Sequence, residues 1–134
     1  MRIPSAQELE PIARRHDLKL IVLFGSQLSG RTHSDSDVDV VIMPAHHLSL
    51  HERGEIWSAL CDLFEAEVDL GVLDHAQPLF MYHVADGQVL YESEPGIWAN
   101  FKLYARRLYW DAAPLREALS RYLDHRAEEM RHAG

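Results

Sequence analysis

The stretch LFGSQLSGRTHSDSDVDVVIM, residues 23–43, combines residue types that bind nucleotides and metal ions. Gly25 and Ser26 end one apolar run, and Asp37 and Asp39 begin the next after ten intervening residues. Side chains two positions apart on a strand point to the same face, so the two carboxylates project together. They repel each other unless a cation lies between them, and Mg²⁺ accepts such carboxylates alongside water and phosphate oxygens. The pair indicates a magnesium site, against the alternative of two solvated acids at a strand end.

A third acid stands alone in a later apolar run, EVDLGVL, residues 67–73, where Asp69 lies between Val68 and Leu70. If this run forms a strand beside the one carrying the aspartate pair, three carboxylates on adjacent strands could hold two metal ions. Two-metal sites of this kind serve in-line phosphoryl and nucleotidyl displacement. The Gly-Ser turn would offer unpaired backbone N–H groups and a hydroxyl to phosphates, completing a single triphosphate site.

The elements that must position these residues follow from capping signals and hydrophobic periodicity. Ser5 with Glu8, and Ser49 with Glu52, read as capping boxes that open helices. Short apolar runs bounded by turn residues predict strands. The predicted order is a helix at about 5–16, strands at 18–24 and 37–43, a helix from 49, a strand at 67–73, a helix at about 77–86 ending at Gly87, a strand at 88–93, and helices from Ile97 onward.

Apolar residues at helical spacing predict which helix faces are buried. Pro114 fits the first turn of a last helix capped by Asp111. The stripe in the helix after Ser49 consists of Leu50, Ile56, Trp57, Leu60, Leu63 and Phe64, and the C-terminal stripe of Phe101, Tyr104, Leu108, Leu115, Leu119 and Tyr122. The alternation of helices and strands predicts an α/β or α+β fold.

The length and composition are those of an ordinary globular chain. The 134 residues predict one domain, 1–134, with a core at about 18–92 and a helical C-terminal segment at about 97–132. A net charge of −8 argues against a general nucleic-acid-binding surface, but not against a nucleotide whose phosphates are screened by magnesium. No apolar run approaches the roughly 18 residues of a membrane span. A single cysteine, Cys61, agrees with a reducing compartment, so we expect a cytoplasmic protein with Cys61 buried and inert.

The spacing of these residues resembles the signature of the DNA polymerase beta nucleotidyltransferase superfamily. Gly25-Ser26, ten residues and Asp37-Val38-Asp39 match its GS-x10-D-x-D pattern, and Asp69 stands where the family carries its third carboxylate. Gly30 and Ser36 fit the longer pattern. The match covers about residues 18–73, and the short chain resembles the minimal nucleotidyltransferases, the MNT group. The resemblance implies the polymerase-beta-type core, a mixed sheet flanked by helices.

The resemblance also implies roles for individual residues. Gly25 and Ser26 would hold the β- and γ-phosphates of ATP, and Asp37 and Asp39 would bind both Mg²⁺ ions. Asp69 would complete the site of the ion that activates the incoming hydroxyl. Leu28-Ser29 replaces the Ala-Arg that many members have before the second glycine, and Arg31 is the candidate replacement phosphate ligand.

The implied acceptor is a protein. Chains of this size resemble the antitoxin of HEPN/MNT toxin–antitoxin pairs, which transfers AMP to a tyrosine of its HEPN ribonuclease partner. We therefore expect a hetero-oligomer with a toxin, without direct nucleic-acid binding. An acidic surface suits a basic RNA-cutting partner. The aromatic residues of the C-terminal segment either contact that partner or pack against the sheet: Trp98, Tyr104, Tyr109 and Trp110.

Other hypotheses remain open from the sequence. The same chemistry could serve a small-molecule acceptor, as in aminoglycoside nucleotidyltransferases, although these are usually longer. The chain could also be a binding module that neutralises its partner by contact alone. A template-directed polymerase is disfavoured by the length and the missing basic stripe. Zinc at His46, His47 and His51, phosphate contact by His33 and a nucleophilic Cys61 are weaker hypotheses than solvated histidines and an inert thiol.

Overall fold

The computed structural model describes residues 2–25, 38–73 and 78–133. Its elements are α1 (Ala6–Arg15), β1 (Leu18–Phe24), β2 (Val38–Pro44), α2 (Leu50–Phe64), β3 (Val68–Val72), α3 (Pro78–Val84), β4 (Gln88–Glu92), α4 (Ile97–Asp111) and α5 (Ala113–Ala133). The predicted order of helices and strands is confirmed for the described ranges. The division into a core and a C-terminal segment of one domain stays a prediction.

Four strands of the described chain form one mixed sheet in the order β3-β2-β1-β4. β1 pairs antiparallel with both β2 and β4, whereas β2 and β3 run parallel. Parallel neighbours need a crossover connection, which α2 supplies between β2 and β3. The predicted α+β fold with a mixed sheet flanked by helices is confirmed.

Helices cover both faces of the sheet, and strand alternation divides the core accordingly. On one face, α1 and α2 pack through Leu9, Ile56 and Phe64 against Val40 and Ile42 of β2. On the other face, residues of α3 and α4 join a second cluster, which consists of Leu20, Val22, Val41, Leu73, Val84, Ala85, Phe101 and Ala105. The central strands are buried on both sides, which explains the continuous apolar run LKLIVLF.

The helix starts follow the predicted capping signals. Ser5 and Glu8 form a complete reciprocal capping box at α1, and the Ser49 hydroxyl accepts the backbone N–H of Glu52 at α2. The predicted cap for the last helix is wrong. Asp111 is the final residue of α4, because the Ala112 N–H still donates to the Leu108 carbonyl and the break between the two helices is a single residue. Pro114 does lie in the first turn of α5.

The predicted apolar stripes are buried only in part. Ile56, Leu60 and Phe64 of α2 are fully buried, but Leu50 begins the helix and is 87% exposed. Leu115, Leu119 and Tyr122 of α5 are all more than half exposed. The reason is that α5 extends from the end of α4 and packs against little else in the described chain.

Candidate functional site

Two of the three predicted carboxylates stand side by side on parallel strands. Asp39 of β2 is the register partner of Asp69 of β3. Side chains of residues directly paired in a sheet lie on the same face. The strand alternation places both on the face that carries Val41 and the α3–α4 cluster. The condition stated for the third carboxylate, that the strands of Asp39 and Asp69 are neighbours, is met.

Gly25 lies against the Asp39 carboxylate at the end of β1. Its neighbour Phe24 is the register partner of Asp39 across the β1–β2 pair. A Cβ atom at position 25 would lie 2.2 Å from Oδ2 and 2.9 Å from Cγ of Asp39. The backbone of Gly25 also has φ +91°, a conformation that side chains other than glycine rarely adopt. Position 25 therefore needs glycine for its backbone and for the space that the carboxylate occupies.

Apolar side chains of β1 and α3 lie on the same face of the sheet as Asp39 and Asp69. Phe80 of α3 packs edge-on against Phe24, with ring centroids 6.2 Å apart. A Cβ atom at Gly71 would lie 3.6 Å from Cζ of Phe80 and 3.5 Å from Cγ2 of Val41, so α3 approaches β3 closely.

The remaining predicted site residues lie outside the described residues: Ser26, Gly30, Arg31, His33, Ser36 and Asp37. Their roles stay predictions. The described part of the candidate site thus consists of Gly25, Asp39 and Asp69, brought together from the ends of three adjacent strands.

The described residues fit a divalent cation by their chemistry. Paired positions on neighbouring strands are about 5 Å apart, so the carboxylates of Asp39 and Asp69 repel unless a positive charge lies between them. Magnesium takes one or two protein carboxylates and completes its shell with water and phosphate oxygens. Within residues 2–25, 38–73 and 78–133, no cluster reaches three metal-binding side chains. Asp37 would supply the third at this site.

The zinc hypothesis gains no support. Nδ1 of His46 lies 3.0 Å from the carbonyl oxygen of His47, its own neighbour. His51 pairs instead with Glu55, with Nε2 2.9 Å from Oε1. None of these histidines joins a three-ligand group in the described ranges.

The predicted state of Cys61 is wrong in one respect. The residue is partly rather than fully buried, and its sulfur accepts a hydrogen bond from the Val68 N–H at 3.4 Å. Trp57 also binds Val68, since its indole N–H donates to the Val68 carbonyl at 2.7 Å. The sequence placed Trp57 only in an apolar stripe, and no local pattern could reveal a hydrogen bond to a strand eleven residues away.

The C-terminal aromatic residues divide into two groups. Trp98 stacks on Phe101 with centroids 5.7 Å apart, and Tyr109 stacks on Tyr82 at 4.0 Å. Trp98 and Tyr109 therefore pack against other rings of this chain. Tyr104 and Trp110 are 55% and 67% exposed and remain available to a partner.

Comparison with known proteins agrees with the fold. Residues 7–95 match the polymerase beta nucleotidyltransferase family. The protein adenylyltransferase MntA of Aphanizomenon flos-aquae is 31% identical over 115 residues, which cover 71% of this chain and 73% of that protein. MntA of Shewanella oneidensis is 34% identical over 67 residues, 50% of this chain and 48% of that protein.

A solved structure extends this similarity over the helical C-terminus. A crystal structure of a toxin–antitoxin complex with AMP-PNP contains a chain of 25% identity and TM-score 0.73, matched over 88% of this chain and 97% of that one. The chain therefore belongs to the polymerase beta nucleotidyltransferase family, and within it to the MNT antitoxins. It is accordingly a nucleotidyltransferase of the adenylyl-transferring kind. None of the helices in the described ranges combines the length and apolar character that a bilayer crossing requires.

Proposed function

We propose that this protein is an antitoxin that transfers AMP from ATP to a tyrosine hydroxyl of a HEPN-type toxin, with two Mg²⁺ ions bound by the aspartates. The observation that carries the proposal is the in-register pair of Asp39 and Asp69 beside the space left by Gly25. That arrangement provides adjacent acids for metal ions and a glycine turn for phosphates, which is what nucleotidyl transfer requires.

Relatives support the acceptor and the nucleotide. The two MntA proteins are protein adenylyltransferases, and a related antitoxin was crystallised with the ATP analogue AMP-PNP. A Shewanella oneidensis MNT antitoxin of the same fold, with 23% identity and TM-score 0.67, forms a complex with a tri-AMPylated HEPN toxin. We infer the same class of partner for this chain, and hence a hetero-oligomer with a toxin.

The predicted site residues have different roles in the proposed reaction. Gly25 and Ser26 orient the β- and γ-phosphates through backbone N–H groups and a hydroxyl. Asp37, Asp39 and Asp69 would hold the metal ions, which would neutralise the phosphates and lower the pKa of the attacking hydroxyl. Asp69 is the exposed member of the described pair, so an acceptor hydroxyl can reach it and transfer its proton to it. The tyrosine oxygen forms a bond to the α-phosphorus, the bond from that phosphorus to the bridging oxygen breaks, and pyrophosphate leaves.

The test is label transfer from α-labelled ATP to the co-purified toxin in the presence of Mg²⁺. The double variant Asp37→Asn with Asp39→Asn should reduce transfer by at least about 1,000-fold, because it removes both shared metal ligands. Asp62→Asn with Asp86→Asn is the matched control. It removes the same charge from exposed positions on α2 and after α3.

The same variants, assayed also for toxin neutralisation and for labelling of an added aminoglycoside, separate the competing functions. Unchanged transfer in the Asp37/Asp39 variant would refute the proposed metal site. Toxin neutralisation at full strength by that variant, without labelling, would support neutralisation by contact. Label on an aminoglycoside but on no protein would identify a small-molecule acceptor.

A further inference from the structure

Both backbone polar groups of Val68, the residue that precedes Asp69, are bound by side chains of α2. The indole N–H of Trp57 donates to the Val68 carbonyl at 2.7 Å, and the Val68 N–H donates to the sulfur of Cys61 at 3.4 Å. Trp57 and Cys61 are four positions apart and therefore lie on the same face of their helix. Side chains of α2 thus form hydrogen bonds to both the N–H and the carbonyl of one residue of β3.

These contacts matter because β3 is an edge strand of the described sheet. The Glu67 carbonyl accepts the N–H of Val38 and so points toward β2. The polar groups of the next residue, Val68, point the opposite way, toward the edge where no strand pairs with them. Trp57 and Cys61 take the place of a neighbouring strand at this point.

We propose that Trp57 and Cys61 are positioning residues that hold the Asp69 carboxylate in the geometry that the metal site needs. This inference rests on the proposed role of Asp69 as a metal ligand. Metal ligands must be held within a few tenths of an ångström, and the tilt of an edge strand moves the carboxylate of the following residue. Trp57 is 43% exposed, whereas its helix neighbours Ile56 and Leu60 are fully buried, so its indole is not a main part of the core.

Trp57→Phe tests the first contact, because phenylalanine keeps an aromatic ring but lacks the N–H donor. Binding of Mn²⁺, as a substitute for Mg²⁺, would be measured by the paramagnetic resonance of the free ion in the presence of AMP-PNP. We expect about a tenfold weaker Mn²⁺ affinity, the lower end of what groups that orient a metal ligand contribute. Trp110→Phe is the matched control. That tryptophan is 67% exposed on α4, and its replacement should leave Mn²⁺ affinity unchanged.

Cys61 supplies a second test that does not depend on the tryptophan variant folding well. Cys61→Ser keeps an acceptor for the Val68 N–H, whereas Cys61→Ala removes it. We expect the alanine variant to bind Mn²⁺ several-fold more weakly, and the serine variant to restore most of the affinity. If Cys61 served only in packing, its alanine and serine variants would not differ in Mn²⁺ affinity in this way. Wild-type Mn²⁺ affinity in both Trp57→Phe and Cys61→Ala would overturn the inference.

Asp69→Asn distinguishes failure of this inference from failure of the proposed function. If it leaves Mn²⁺ binding unchanged, Asp69 is not a ligand, and both its proposed role and the positioning role are refuted. If it weakens Mn²⁺ binding while the α2 variants do not, only the positioning role is refuted. Thermal melting without metal, within a few degrees of the wild type, would show that the variants are folded.

Discussion

Gly25 is constrained both by its backbone conformation and by the side chain that lies against it. Its φ of +91° disfavours any side chain, and the carboxylate of Asp39 occupies the place where a Cβ would be. Gly96 has φ +98° as well, but a Cβ there would meet nothing within 4 Å. A comparison of substitutions at these two glycines therefore separates the effect of the backbone conformation from the effect of the contact with the Asp39 carboxylate.

At this scale we predict that Gly25→Ala reduces AMP transfer by about 100-fold, because misplacing a reacting group by about 1 Å has an effect of that size. Gly96→Ala should leave transfer near the wild-type rate. Gly96→Ala should destabilise the fold by about 1 kcal/mol, since it forces a side chain into the left-handed region. Gly25→Ala should destabilise it by more, because its Cβ also meets the Asp39 carboxylate. Label transfer and urea unfolding provide the measurements. Equal loss of transfer in the two variants would mean that backbone strain, and not the contact with Asp39, explains the need for glycine.

The start of α1 shows how one element is held by a local charge. Glu8 accepts hydrogen bonds from both Nη atoms of Arg2, at 2.6 and 2.8 Å, and from the Ser5 N–H at 3.1 Å. The side-chain hydrogen bonds from Arg2, followed by the bond from Ser5, lower the pKa of Glu8 to about 2 from an ordinary value of 4.5. The carboxylate is solvent-exposed, so its contribution is sensitive to salt.

This lowered pKa predicts a loss of stability in acid. Folding favours the ionised form of Glu8, so the stabilisation is complete above pH 4.5 and is lost as the pH falls toward 2. We expect the wild type to melt at a higher temperature than Glu8→Gln at pH 7, with the difference disappearing near pH 2. Added salt should reduce the difference at pH 7. A melting difference that stays constant from pH 7 to pH 2 would contradict the assignment.

At the scale of the whole molecule, α5 is the element with the fewest internal contacts. None of its residues from 113 to 132 is buried. The Arg116 guanidinium lies 3.6 Å from the ring centroid of Tyr109 and hydrogen-bonds to the Tyr109 carbonyl, which ties the start of α5 to α4. The helix presents large apolar side chains that are more than half exposed: Leu115, Leu119, Tyr122, Leu123 and Met130.

We expect this apolar face to contact the toxin. Large exposed apolar patches mark interaction sites, and 88% of this chain matches one chain of a solved toxin–antitoxin complex over 97% of that chain's length. Leu119→Glu with Leu123→Glu should weaken toxin binding at least tenfold, because it places charges within an apolar contact. The melting temperature of the antitoxin alone should change little, since both side chains are exposed.

Ser120→Glu is the control for this prediction, because it adds a negative charge to the same helix outside the apolar face. Calorimetric titration with the purified toxin would measure the affinities of the wild type, the double leucine variant and Ser120→Glu. Toxin affinity that is unchanged in the double leucine variant would exclude this face of α5 from the interface.

Much of the local structure was predictable because its causes are local. Ser5 with Glu8 and Ser49 marked two helix starts through hydrogen bonds to residues three positions away. The cap predicted at Asp111 failed because α4 continues to that residue and leaves no room for a separate start. The exposed Leu115 and Leu119 followed helical spacing correctly, but periodicity shows which residues share a face and not whether anything covers it.

The sequence by itself determined the strands, the starts of α1 and α2, and the acids of the candidate site, because propensity, capping and the spacing of Gly25, Asp37 and Asp39 act over short distances. Only the tertiary structure decided that Asp39 and Asp69 are register partners, since thirty residues and a crossover helix separate them. It also decided that a carboxylate fills the space at Gly25 and that Trp57 binds the edge of β3. These features depend on how strands pair and helices dock, which are long-range contacts that no local pattern specifies.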